Sequence, residues 1–500
     1  MPPAPPSVVE PLALPRTEGN QLCPDGSVCP PGLEAPHGLA SPSRPALAIS
    51  HARSLRALPL NSLRTSSERD PWPIRLDSRE LATLLATLRA SSEAASARLA
   101  GNAMAYLATV TSRETGSSPP PHPQDVMTVV TGLHRILTRS RFLKGSRSCF
   151  PLETAYAQMA PFVQTQQPVT ILTSGFPFKQ HDNGLKAAGP SPDLAELGAL
   201  LRLKELHGAF AALYPPALRV VVLNDGGYSR PRGWAETQSY RRQLKRYAHL
   251  VGLGNSVQFR DQSCFVARLL GPQRWGKRER YRHRFRALIS VLAGRPGSLA
   301  GAAAIDQRLA EALPRALLAG IPPFHHILSS LVYSVPVPAR PGMDPRRWAC
   351  EVLAWPDGYT EPGLPAELIS ARREVIASAW QDSVNYLAAC LADAAVGVAQ
   401  RFPPHVRLAT VASRSGCSGF SYLGGSTLLP WHGTGCLDGR AVLCAEFLVS
   451  LDDRGFLPVY SDLIGDQQPL LMVPFARTLY MQGRRQVDPH LLTTARLRHR

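Results

Sequence analysis

Residues 169–193 set what the rest of this chain can become. They open with Val169-Thr170-Ile171-Leu172, a short β-branched and apolar run of the kind that forms a buried strand. Gly175, Pro177, Gly184, Gly189, Pro190 and Pro192 keep the next segment irregular, so it is a loop carried for its side chains. Ser191, Pro192 and Asp193 then start a helix as N-cap, first-turn proline and acidic first-turn residue. Leu194, Leu197, Leu201 and Phe210 form its apolar face. A second apolar run at 220–223 ends abruptly in Asn224-Asp225-Gly226-Gly227. Strand, loop, helix and strand make a βαβ unit, with parallel strands and a right-handed crossover. Ligands of open α/β sheets bind beyond the carboxyl ends of the strands, so the 176–186 loop and the Asp225 turn are expected to face one pocket.

The side chains at that end of the sheet carry acid, base and anion-binding chemistry. Lys179 and Lys186 both fall in the loop, in a chain where arginine far outnumbers lysine. As point charges on flexible stems they suit a phosphate or carboxylate, and a desolvated lysine also acts as a base; the alternative is a pair of solvent-facing loop lysines. Asp225 can orient an amino group or accept a proton, or simply close an Asx turn over Gly226 and Gly227. Asp193 and Glu196 are expected to serve the helix N-terminus. His432, between Trp431 and Gly433, titrates where transfer in both directions is practicable, and Trp431 either walls an aromatic pocket or fills core. His325 and His326 are adjacent and point to different faces, so they make a poor metal pair. With no HxH or HExxH spacing, no catalytic metal is expected.

Several of these residues form a wider pattern. Phe176-Pro177-Phe178-Lys179, Asn183, Lys186, Gly189, Pro192, Asp193 and Glu196 come first, followed by Tyr214-Pro215-Pro216 and Asp225-Gly226. Phe402-Pro403 through Leu408 and Pro430-Trp431-His432-Gly433 come later. Over roughly residues 125–475, this order resembles the isocyanide synthase family, the pyoverdine/dityrosine biosynthesis group. The resemblance implies a Rossmann-like α/β enzyme with a mostly parallel sheet flanked by helices. It would convert the α-amino group of an amino acid, expected to be aromatic, to an isonitrile. Ribulose 5-phosphate would be the carbon donor, with no other cofactor. Lys179, Asp225 and His432 are then the catalytic candidates, and Phe176, Phe178, Asn183, Lys186 and Trp431 the substrate-binding ones. A downstream iron/2-oxoglutarate oxygenase is the implied partner. The chain departs from the family's usual writing at Gln180-His181, at Asn224 and at Ala409 to Ala412. Two alternatives therefore stay open: an N-formyl amino acid synthase of the spore-wall type, and a non-catalytic member that binds an anionic partner.

Beyond this core, 500 residues with 44% hydrophobic side chains suffice for a substantial interior, and the +18 formal charge is compatible with anionic substrates, nucleic acid or acidic partners. No apolar run is long enough to span a bilayer and no signal-peptide core is evident, so a cytoplasmic location is expected. Residues 1–75 are expected to be a disordered Pro/Ser/Arg-rich leader. An appended helix or helical hairpin from Asp77 and a linker at 116–123 occupy 76–122. The catalytic domain covers 123–480, with antiparallel edge strands near its C-terminus, and a basic frayed tail covers 481–500. Arginines 278, 280, 282, 284 and 286 alternate with Tyr281, His283 and Phe285. A period of two on a helix spreads charge around the cylinder, so a solvated helix with one or two phosphate-facing arginines is expected here rather than a nucleic-acid motif. Cys264, Cys390 and Cys444 read as small core residues.

Overall fold

The computed structural model describes residues 74–114, 125–224, 234–294, 299–318, 321–353, 363–410, 417–423, 428–465, 467–481 and 484–497. Most of the leader, the 116–123 linker, the Asp225-Gly226-Gly227 turn and Val411-Ala412 lie outside those residues.

The described chain opens with β1 (Ile74–Arg75), α1 (Ser78–Glu114), α2 (Val126–Leu137) and α3 (Leu152–Gln164). β2 (Val169–Ser174), α4 (Leu194–Leu213) and β3 (Leu218–Asn224) form the βαβ unit, and α5 (Trp234–Leu250) leads on to β4 (Val257–Asp261). A helical stretch follows: α6 (Gln262–Ala293), α7 (Leu299–Ala312), α8 (Arg315–Leu318), α9 (Phe324–Leu331), α10 (Pro345–Leu353) and α11 (Ala366–Ala395). β5 (Val406–Ala409) and β6 (Ser418–Gly419) come next. The last part holds β7 (Thr434–Leu437), β8 (Val442–Glu446), α12 (Leu448–Asp453), β9 (Phe456–Tyr460) and β10 (Leu471–Pro474). It ends in β11 (Thr478–Met481), β12 (Arg484–Val487), α13 (Pro489–Thr493) and β13 (Arg496–Leu497).

The fold is α/β and Rossmann-like. A five-stranded sheet runs β4-β3-β2-β5-β6 with every pairing parallel. β2 is buried along almost its whole length, as a central parallel strand covered on both faces should be. The chain moves outward from β2 to β4 and returns to the other side of β2 at β5, which makes the β2/β5 boundary the topological switch point. The 175–192 loop leaves β2 at that boundary.

The antiparallel strands do lie near the C-terminus, but they do not extend this sheet. They build a second, mixed six-stranded sheet, β1-β9-β10-β7-β8-β13. The reason lies in α4, which is buried on nearly every side because apolar residues encircle it. One sheet cannot cover such a helix, so α4 also packs against β7 and β8 of the second sheet. Contact is close enough that a Cβ on Gly435 would sit 2.6 Å from the Ala195 backbone nitrogen.

Other elements differ from expectation for identifiable reasons. α4 begins at a capping box formed by Asp193 and Glu196 rather than at Ser191, because a carboxylate with a glutamate three residues on satisfies both exposed amides. The helix from Asp77 is a single 37-residue rod and is not merely appended. Its Leu84, Leu88, Ala95 and Leu99 are buried, and Ser92 and Ser96 donate to Leu201 O and Glu205 O of α4. The basic segment from Arg484 is built into the fold, with β13 pairing β8. Leu428 and Leu429 form no strand and lead into a 3₁₀ turn, Pro430–His432. Cys264 is exposed on the first turn of α6 instead of in a core. Arg278 is buried and paired with Asp393 and Glu279, so that member of the arginine series is not solvated. Helices α6 to α11 gather around a second apolar core that also takes in Leu185 from the loop, Phe447 and Val449. No described helix is long and apolar enough to cross a membrane.

Candidate active site

The loop after β2 is pinned at its start. Phe176 adopts a positive φ of 50°, a conformation that a bulky side chain holds only when its surroundings over-determine it. Asn224, at the end of β3, supplies that constraint: its Nδ2 donates to Phe176 O at 2.6 Å and Pro177 O at 2.9 Å. The Phe176 ring enters an aromatic cluster, 4.8 Å from Trp431 and edge-on to Tyr422 and Phe259. Gly175 makes this possible, since a Cβ there would lie 2.6 Å from the Trp431 ring. Gln180 N donates to Trp431 O at 3.1 Å, so the loop and the Pro430–His432 turn are docked on each other. His432 is half-buried with its ring edge-on to Trp431, and Phe178 is buried.

The two loop lysines occupy different environments. Lys179 Nζ lies 3.0 Å from Asp193 Oδ1 and 2.7 Å from Glu196 Oε2, and donates to Pro430 O at 3.1 Å. Asp193 also accepts from Gly435 N at 3.1 Å, and Tyr240 donates to Glu196 Oε1 at 3.1 Å. Burial pushes the Glu196 carboxyl up to about 8 even though the Lys179 ammonium pulls the other way. Burial and the Glu196 charge hold the Tyr240 phenol well above its ordinary value. This node ties the loop, the start of α4, α5, the 430–432 turn and β7 together.

Lys186 is also buried, but among the described residues its Nζ bonds only neutral groups: Gln180 Oε1 at 2.8 Å and Ser334 Oγ at 3.0 Å. The Ser334 hydroxyl itself donates toward Gln180 Oε1 at 2.7 Å, and the Tyr333 ring faces the amine at 6.0 Å. With no carboxylate among these partners, burial alone drives the Lys186 ammonium down to about 7. Beside it lies a hollow of about 10 Å³ lined by Leu185, Tyr333, Phe447 and Val449, room for about one water. Asn183 holds the loop from the other side, donating to Tyr333 O at 2.9 Å and accepting from Leu185 N at 3.1 Å.

The structure therefore brings Phe176, Lys179, Trp431 and His432 to one end of the sheet. Lys186 and Asn183 sit toward the helical core, and Asp225 is outside the described residues. Sequence reasoning missed Gln180, Tyr333 and Ser334 around Lys186, and Tyr240 as a partner of Glu196. Gln180 carried a signal, as a polar side chain inside the loop. Ser334 lies 148 residues from Lys186 in sequence and carried none.

No curated protein matches this chain. Among solved structures, the PvcA protein from Pseudomonas aeruginosa is similar at 16% identity with a TM-score of 0.43, over 68% of this chain and 99% of that one. Residues 159–293 match the family described as pyoverdine/dityrosine biosynthesis protein. This match contains β2, the whole loop with both lysines, and the capping box of α4, and over that stretch the chain is similar to the pyoverdine/dityrosine biosynthesis family.

Proposed function

We propose that this protein is an isocyanide synthase, which converts the α-amino group of an aromatic amino acid to an isonitrile with ribulose 5-phosphate as carbon donor. The observation that carries the reading is Lys186: a buried amine with two neutral partners, in the loop at the switch point of the sheet. Condensing an amine with a ketone expels water and then requires protons to be moved as the imine rearranges. A neutral amine at working pH accepts such a proton. We assign proton acceptance to Lys186 and give Lys179, with its two carboxylate partners, the task of holding the loop against α4. His432 and Asp225 are the remaining acid/base candidates, and the cluster of Phe176, Tyr422 and Trp431 supports an aromatic substrate.

The test is mass spectrometry of the purified chain incubated with ribulose 5-phosphate and tyrosine, tryptophan and aliphatic amino acids. An isonitrile that disappears in Lys186→Met supports the reading. A product heavier by one water is the formamide and moves the protein to the N-formyl class. Consumption of no amino acid by folded protein rejects the enzymatic reading.

A further inference from the structure

β4 is the outer strand of the parallel sheet, pairing with β3 and, among the described residues, with nothing on its other side. A hollow of about 330 Å³ runs along that open side. Its strand wall consists of four consecutive residues, Val257 to Arg260. Successive strand residues point to opposite faces, so four in a row line one hollow only where it wraps the strand's edge. The hydrogen-bond phase agrees. Val220 N donates to Ser256 O at 2.7 Å, with Val220 opposite Val257 and Val222 opposite Phe259. A parallel ladder in that phase uses the backbone groups of Gln258 and Arg260 toward β3 and turns those of Phe259 outward.

The facing wall is the C-terminal half of α5, which places Lys245 and His249 one turn apart. A groove between an edge strand and a helix has the geometry in which an extended chain adds to a sheet. Its charge is one-sided: Lys245, His249 and Arg260 are exposed, and among the described residues no aspartate or glutamate lines the hollow. The neighbouring Asp261 lies 3.5 Å from Arg241. The wall also communicates with the candidate site, because Phe259 meets Phe176 edge-on with ring centres 6.0 Å apart. We infer that this groove binds an extended acidic peptide segment, which adds to β4 as a further strand and sets its carboxylates against Lys245, His249 and Arg260.

The inference is independent of the catalytic reading and is tested by fluorescence anisotropy on the full chain. The probe is a labelled peptide of alternating glutamate and valine. Two controls accompany it: the same peptide N-methylated at alternate amides, and one with lysine replacing glutamate. Saturable binding is expected for the acidic peptide alone. The double variant Lys245→Glu, Arg260→Glu, at exposed positions, is expected to weaken it about tenfold or more, equivalent to ~1.4 kcal/mol. Hydrogen exchange at the Phe259 amide should slow when the peptide is present. Absence of binding, equal binding of the N-methylated or lysine peptide, or full binding by the double variant overturns the inference.

Discussion

Two lysines seven positions apart in one loop behave differently because of what folding places beside them. Lys179 meets two carboxyl groups, Asp193 and Glu196, and replacing it with methionine leaves the buried Asp193 carboxylate without its cation. The expected cost is about 3–5 kcal/mol, measured by urea denaturation. Lys186 meets none, and Lys186→Met is expected to abolish turnover while leaving stability unchanged or raised near neutral pH. The sign follows from linkage. The folded-state pKa of Lys186 is depressed from 10.5 to about 7, so its contribution to stability is present above 10.5 and is lost as pH falls through 7. Denaturation midpoints of the wild type should therefore drop over that window relative to Lys186→Met. Turnover should rise with pH through about 7, and Lys186→Arg should not restore it, since guanidinium stays protonated. Glu196 has the opposite sign. Its folded value is raised from 4.5 to about 8, so its contribution is present below 4.5 and is lost as pH rises through 8; Glu196→Gln should flatten that slope.

At the scale of elements, the 175–192 loop bridges two cores, with Phe176 in the sheet core and Leu185 in the helical one. Through Gln180 and Lys186 it reaches Ser334. Its entry depends on the absence of a side chain at Gly175. Gly175→Ala is expected to push the Trp431 ring aside at a cost of about 1–3 kcal/mol, with a larger loss of product formation than of stability. Thermal denaturation and product assay on the same preparation separate the two effects. The loop's ends were legible beforehand, since β-branched runs and glycine-proline punctuation act locally. The start of α4 was misread by two residues, because Ser191 and Asp193 are both sound caps and only Glu196 distinguishes them. Strand β8 stops at Glu446. Phe447 and the residues after it leave the sheet, and Leu448 N and Val449 N donate to Lys186 O and Leu185 O. That choice depends on a loop more than 250 residues earlier in the chain, which no local pattern can express.

For the whole molecule, the second sheet is closed at one edge by β1 and at the other by β13, so both ends of the described chain contribute to one layer. Removing residues 496–500 strips the strand that covers β8 and takes away the fully buried Leu497. The expected result is a drop in melting temperature corresponding to about 2–4 kcal/mol, checked by calorimetry. The composition of 481–500, basic and without a long apolar run, reads as a tail because a two-residue strand buries too little to leave a periodic trace. The βαβ unit, the loop at its carboxyl end and the identity of its lysines were readable from the chain, since apolar runs and glycine-proline punctuation act locally. Which lysine would be clamped by carboxylates and which would be left as a near-neutral amine was not readable. Desolvation and ion pairing are set by groups brought together from distant parts of the sequence, here Asp193, Glu196 and Pro430 for Lys179, and Ser334 for Lys186.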